Sequence, residues 1–216
     1  MNVLRPQKFD VEELKSEKLY NECGDENFEY CKFENAEYSN IDLAGIEFNY
    51  CLFDKVCMQN AILENVTFEN VFFNSCDFSN TKFMYNGFIR CEFNNCKFIG
   101  CNLVENRLYN VGMIETNANY INFSMASMEN VFLKNVLMRN SYFQETKLKK
   151  IYFDNTDLTQ SQFFKTGLKG IDISNCNIEG IAISAEDIKG AIVDELQAVD
   201  LLYLLGVKVK ENNKDF

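Results

Sequence analysis

The chain has 216 residues, enough for one domain with a substantial core. It carries 21 Lys and Arg against 32 Asp and Glu, a net charge of −11, so charge steers it toward basic partners and away from nucleic acid and membrane surfaces. It has no histidine, which excludes Ser-His-Asp and Cys-His catalysis and every His-containing metal site. The acidity has a plainer reading too, as a solvated surface that maintains solubility.

The first residues, MNVLRPQKFDVEELKSEKLY, contain no apolar leader, and no apolar run is long enough to span a bilayer. The expectation is a soluble, cytoplasmic protein. Residues 1–25 carry no strong motif and are read as an N-terminal capping segment. Nine cysteines, an odd number without an export signal, are read as reduced thiols rather than a disulfide framework.

From residue 26 a frame of five takes over. Its centres run Phe28, Phe33, Tyr38, Leu43, Phe48 and onward without a slip to Val193. Of these 34 centres, 16 are Phe or Tyr and 17 are Leu, Ile, Met or Val; only Ala118 is small. Such a period fits neither a helix nor a simple strand. Two residues before each centre stands a small one, as at Cys31, Ala36, Ile41 and Val66, with Glu26, Asn86, Asn106 and Glu186 as the exceptions. The other three positions are mostly polar, so large and small inward residues alternate with an outward polar set.

No five-residue unit buries its own large side chain, but stacked coils bury a continuous column. With four units per coil, Phe28, Phe48, Phe68 and Phe88 form one ladder and Phe33, Phe53, Phe73 and Phe93 the next. Asn40, Asn60 and Asn80 stack likewise, which suits amide ladders. Cys31 lies over Cys51 and Cys76 over Cys96; packing as small apolar groups is favoured over a metal or disulfide role.

At the C-terminus DELQAVDLLYLLG breaks the frame. Asp194 reads as an N-cap with Gln197 three residues on, and Gly206 as the stop. The helix is apolar on nearly every side, so one face is expected to cover the last coil and the other to meet a second molecule. Leu196, Val199, Leu202 and Tyr203, with Val207 and Val209 as a short added strand, are the expected interface of a tail-to-tail homodimer. The chain thus divides into 1–25, a repeat body at 26–195, and a helix, strand and tail at 196–216.

The units CDFSN, TKFMY, IDLAG, TDLTQ and CNLVE resemble the pentapeptide repeat family, whose pattern is A(D/N)LXX. That resemblance implies an all-β fold, a right-handed quadrilateral parallel β-helix of about 8–9 coils, roughly 40 Å long at the spacing of strands. The ending QAVDLLYLLGVKV is similar to that of Qnr and MfpA proteins. Resemblance to these implies binding to the type II DNA topoisomerases gyrase and topoisomerase IV, partly by DNA mimicry, with quinolone protection or enzyme inhibition as the outcome. It also implies a homodimer that neither contacts nucleic acid directly nor enters a membrane. The unbroken frame departs from Qnr proteins with projecting loops and is closer to MfpA. The alternative is a repeat module that binds, or gives immunity against, a non-topoisomerase partner.

A mimic of duplex DNA needs a dense acidic stripe, since DNA carries one charge per about 1.7 Å of axis. Sorted by wall, the outward positions around Phe33, Phe53 and Phe73 hold eight carboxylates against three lysines, a net of −5. Glu34, Asp54, Glu92, Glu115, Asp154 and Asp172 of this wall are the expected partner-binding residues. Two other walls sum to about −2 each, and the wall through Phe28 to +2, with a cluster at Lys147, Lys149 and Lys150. No cleft, histidine or phosphate-binding Gly-rich loop is legible, so no catalytic residue, metal or cofactor is expected.

Overall fold

The computed structural model describes residues 5–7, 9–21 and 26–210. The remainder of the expected N-terminal segment and of the C-terminal tail lies outside the described residues. Side chains at the predicted centres turn inward to one axis, and residues twenty apart lie in parallel register: Phe28 on Phe48, Phe33 on Phe53, Leu43 on Leu63. The chain therefore winds as a parallel β-solenoid of about eight turns with four walls per turn.

We label the walls by their centres: A through Phe28, B through Phe33, C through Tyr38 and D through Leu43. Walls A and B form one 12-stranded sheet, and from Arg107 onward single strands, Arg107–Ile114, Ser127–Lys134 and Lys147–Asp154, run through both walls and the corner between them. Wall C is joined by isolated bridges such as Cys57 to Asp77. Wall D begins as the three strands Asp42–Ala44, Ile62–Glu64 and Lys82–Met84, continues as bridges closed by turns, as where Ala126 N–H donates to the Phe123 carbonyl at 3.0 Å, and ends in the strand pair Gln162–Phe163 and Ala182–Ile183.

The core is a lattice of rings. Phe33, Phe53, Phe73 and Phe93 stack at centroid distances of 4.6, 5.0 and 4.5 Å, and Phe68 meets Phe73 edge-on at 5.4 Å. Offset stacks along each wall with T-shaped contacts across corners are the arrangements that ring quadrupoles favour. Beyond Phe98 the column turns largely aliphatic, with Phe123, Phe143 and Phe163 as a last short stack on wall D.

Nearly every corner takes a left-handed residue two after the centre, Asn175 and Ala185 being exceptions. Among the described residues twenty-six non-glycine residues adopt it, φ 49–62°, and twelve of them are Asn, which tolerates that region best. This corrects the amide-ladder expectation for Asn40, Asn60 and Asn80: their φ values of 62°, 56° and 60° account for the Asn. The side-chain amide bonds lie elsewhere, from Asn155 to Asn135 at 2.8 Å and from Asn94 to Asn74 at 3.3 Å.

The small inward positions have a polar use that the apolar reading of the cysteines missed. Cys51, Cys76, Cys91 and Cys96 each donate, at 3.3–3.4 Å, to the carbonyl 23 residues earlier, which belongs to the preceding wall of the coil below. Thr146, Thr156 and Ser161 make the same bond at 2.8, 3.2 and 2.6 Å. Asn86 and Asn106, exceptions to the small-residue rule, are buried and bond to the Leu63 and Phe83 carbonyls in the same way. The eight described cysteines are all unpaired.

Both ends are closed by side chains. Helix α1, Glu195–Leu201, starts with a full capping box between Asp194 and Gln197 and runs into a 3-10 turn, Leu202–Leu205, stopped by Gly206 at φ 69°. Leu201 and Leu204 pack on the last coils. Residues 207–210 form no strand, so the short strand expected at Val207 and Val209 is absent from the isolated chain. At the other end Lys15–Ser16 pairs with the edge of the first wall-B strand, and Leu19 is buried in the core.

Candidate binding face

Wall B carries the six carboxylates expected to bind a partner, and the register places them along one face. The column before the centres reads Lys32, Leu52, Phe72, Glu92, Gly112, Phe132, Tyr152. The column after them includes Glu34, Asp54, Asn74, Asn94, Ile114, Lys134 and Asp154. Glu115 and Asp172 complete the set at a corner and on the last bridge. The face is therefore a mixed column, with Phe72, Phe132 and Tyr152 as its rings, flanked by separated carboxylates rather than a continuous acidic stripe.

Most of these carboxylates already have partners. Glu34 lies 3.4 Å from Lys32, Asp54 4.0 Å from Lys55, and Asp154 4.0 Å from Lys134. Such exposed pairs contribute little to stability. Asp172 accepts from the Ser174 hydroxyl at 2.7 Å and backbone N–H at 3.0 Å, and these bonds hold its carboxyl below the usual range.

The N-terminal segment does more than cap the first coil: residues 5–7 and 9–14 run along the outside of wall B as a strap. Arg5 Nε lies 3.7 Å from Glu92 Oε2, Pro6 is buried, Gln7 N–H donates to Asn70 Oδ1 at 3.4 Å, and Phe9 meets Phe72 edge-on at 5.5 Å. The Glu92 side chain is left 12% exposed, against 41% for Asp154 beyond the strap. Beneath the strap end, the carboxamide of Asn110 is buried without a hydrogen bond to any described residue. Residues 1–25 carry no motif in the sequence that fixes the register of these contacts.

Across the corner, wall A carries the cluster Lys147, Lys149 and Lys150, of which Lys149 pairs with Glu129 at 2.7 Å. At the C-terminal end the residues expected at a dimer interface are largely open: Leu196 is 78% exposed and Tyr203 55%, and Val199, Val207 and Val209 are exposed as well. Leu202 is half-buried, and the Tyr203 hydroxyl donates to the Ile181 carbonyl at 2.8 Å. Among the described residues no three His, Cys, Asp or Glu gather as a metal site, and no helix is long and apolar enough to cross a membrane.

Fold and face define a parallel β-solenoid that displays side chains on flat walls. Within it, residues 86–163 match the family described as pentapeptide repeat region, and residues 61–100 the one described as pentapeptide repeats in eight copies. Among solved structures it is similar to HetL, a pentapeptide repeat protein involved in heterocyst differentiation regulation from the cyanobacterium Nostoc, at 13% identity and a TM-score of 0.62 over 81% of this chain and 92% of that one. A trypsin-treated QnrB1, a plasmid-mediated fluoroquinolone resistance protein, aligns at 20% identity and a TM-score of 0.44 over 91% of this chain and 97% of that one. No curated protein matches the sequence.

Proposed function

We propose that this protein is a non-catalytic binding protein that presents wall B to a basic surface of a type II DNA topoisomerase, gyrase or topoisomerase IV, and so modulates quinolone action. The choice of partner rests on the resemblance of the C-terminal sequence to Qnr and MfpA. The observation that carries the reading is that Glu115, Asp154 and Asp172 share the part of wall B beyond the strap. Spread over coils about 4.8 Å apart, these charges are sparser than those of a duplex, so the mimicry is partial. The exposed Leu196, Val199 and Tyr203 support a dimer joined through the C-terminal cap.

A gyrase supercoiling assay with and without ciprofloxacin tests the reading. A change in supercoiling or in drug sensitivity, reduced by charge reversal at Glu115 and Asp154, is the expected result. No effect at stoichiometric excess removes it. The strap favours a second reading, because it takes up Glu92, a carboxylate that a duplex-sized contact would use: a binding or immunity module for a smaller partner. Pull-down of a non-topoisomerase protein by the intact chain, with supercoiling unaffected, would select that one.

A further inference from the structure

Wall B comes with a bound segment on one half and an open groove on the other. The strap shows what the wall holds: an extended chain whose guanidinium lies at a carboxylate and whose aromatic ring meets a ring of the column, Arg5 at Glu92 and Phe9 at Phe72. Its end sits over the dip at Gly112, where Phe132 forms the far side. The same Phe132 opens the next groove, a shallow one of about 420 Å³ lined by Tyr152, Asp154, Asp172 and Asn175.

The two halves share their chemistry by register. Phe132 and Tyr152 continue the column of Phe72 and Glu92; Asp172 follows Tyr152 by twenty residues as Glu92 follows Phe72, and Asp154 lies two residues after Tyr152, where Asn74 lies after Phe72. Tyr152 is 38% exposed, and among the described residues Lys134 is the one cationic neighbour of these carboxylates within 4.0 Å. An aromatic step with two carboxylates offers stacking and cation–π contact together with charge pairing, a combination that fits an Arg- or Lys-bearing segment with a nearby aromatic residue.

We propose that the upper half of wall B, from Phe132 to Asp172, is a docking groove for an extended segment of a partner protein carrying a basic residue a few positions from an aromatic one. The groove continues the path of the chain's own strap. This deepens the acidic-wall reading and rests on it only in taking the same face as the contact surface. It narrows that surface to the half the strap leaves free, and it gives the partner's contribution a form: a strap-like tail or loop rather than a broad basic saddle.

The probe is a fluorescent peptide of sequence Arg-Pro-Gln-Lys-Phe-Asp-Val, titrated against the intact chain by anisotropy. Saturable binding is expected, weakened about tenfold or more by D154K with D172K, by Y152S, and by replacing the peptide's Arg with Gln or its Phe with Ala. Circular dichroism confirms that each variant keeps the fold. Lack of saturation at millimolar peptide overturns the proposal. So does binding that E92K abolishes while D154K/D172K leaves it intact, since the peptide then exchanges with the strap. Self-association of the chain that D154K/D172K abolishes would assign the groove to a second copy and overturn the partner-segment assignment. A chain that takes the peptide but leaves gyrase unaffected keeps the groove and loses the topoisomerase reading; the reverse result removes the groove alone.

Discussion

Gln197 reaches from helix α1 into the open end of the solenoid and donates Nε2 to the carbonyl of Ile173, 2.9 Å away, while the same nitrogen meets the Cys176 carbonyl at 2.8 Å. One side chain thus caps a helix and satisfies two carbonyls that no further coil covers. Gln197→Leu leaves both buried acceptors unpaired and breaks the capping box, an expected loss of about 2–4 kcal/mol. Chemical denaturation checks it. A loss under about 0.5 kcal/mol would mean that water satisfies the end as well as Gln197 does.

Asn106 holds a second polar junction inside the column. Its Oδ1 accepts from Asn86 N–H at 2.8 Å and its Nδ2 donates to the Phe83 carbonyl at 2.7 Å, with the side chain 1% exposed. Asn106→Val fits the small-residue rule of the repeat but orphans both groups. It is expected to destabilise the protein by about 1–3 kcal/mol despite its better match to the pattern. A stabilised variant in thermal melts would refute the role given to this amide.

Phe73 touches four rings: Phe53 and Phe93 in its own stack at 5.0 and 4.5 Å, and Phe68 and Phe78 edge-on at 5.4 and 5.6 Å. Truncation to Ala leaves a cavity that the rigid coils cannot close, at an expected cost of about 3–5 kcal/mol. Leu108, where the column is aliphatic, should lose less on the same change, about 2–3 kcal/mol. Urea midpoints of the two variants, compared at equal slope, decide it.

Alkaline pH probes the buried thiols. Burial raises Cys51 and Cys91 from 9.0 to about 12. Between those values the unfolded thiols ionise and the folded ones stay protonated, so the folded chain binds more protons. Stability is full below pH 9 and falls as pH rises toward 12, with each thiol contributing up to about 1.4 kcal/mol per pH unit. Melting temperatures across this range, with a C51A/C91A variant showing the shallower decline, test the sign. The same burial predicts that thiol reagents at neutral pH label Cys57, which is only half-buried, well before Cys91.

The repeat body was legible because each inward residue recurs in phase, so that Phe28 fixes where Phe48 and Phe68 must lie. The helix was legible from Asp194, Gln197 and Gly206, whose positions carry cap chemistry. The bond that Cys91 or Thr146 makes to a carbonyl 23 residues back was not legible, because small polar and small apolar residues alternate at that site and only the geometry tells a donor from a filler. The corner Asn residues signal left-handed backbone, and stacking adds an amide bond at Asn135 and Asn155 but not at Asn40, Asn60 and Asn80. The strap escaped for another reason: the contact of Arg5 with Glu92 joins residues far apart in the chain, and a segment outside the repeat inherits no register from it.

The rings that interlock from Phe28 to Phe98 give way to Leu, Met and Ile in later coils, so the rod is built of two materials. In a structure whose coils touch only their neighbours, the weaker stretch melts on its own terms. Force or heat should peel this molecule from Gln197 inward and stall at the phenylalanine lattice. Whatever clamps the C-terminal cap would then act as a buckle, raising the resistance of every coil behind it.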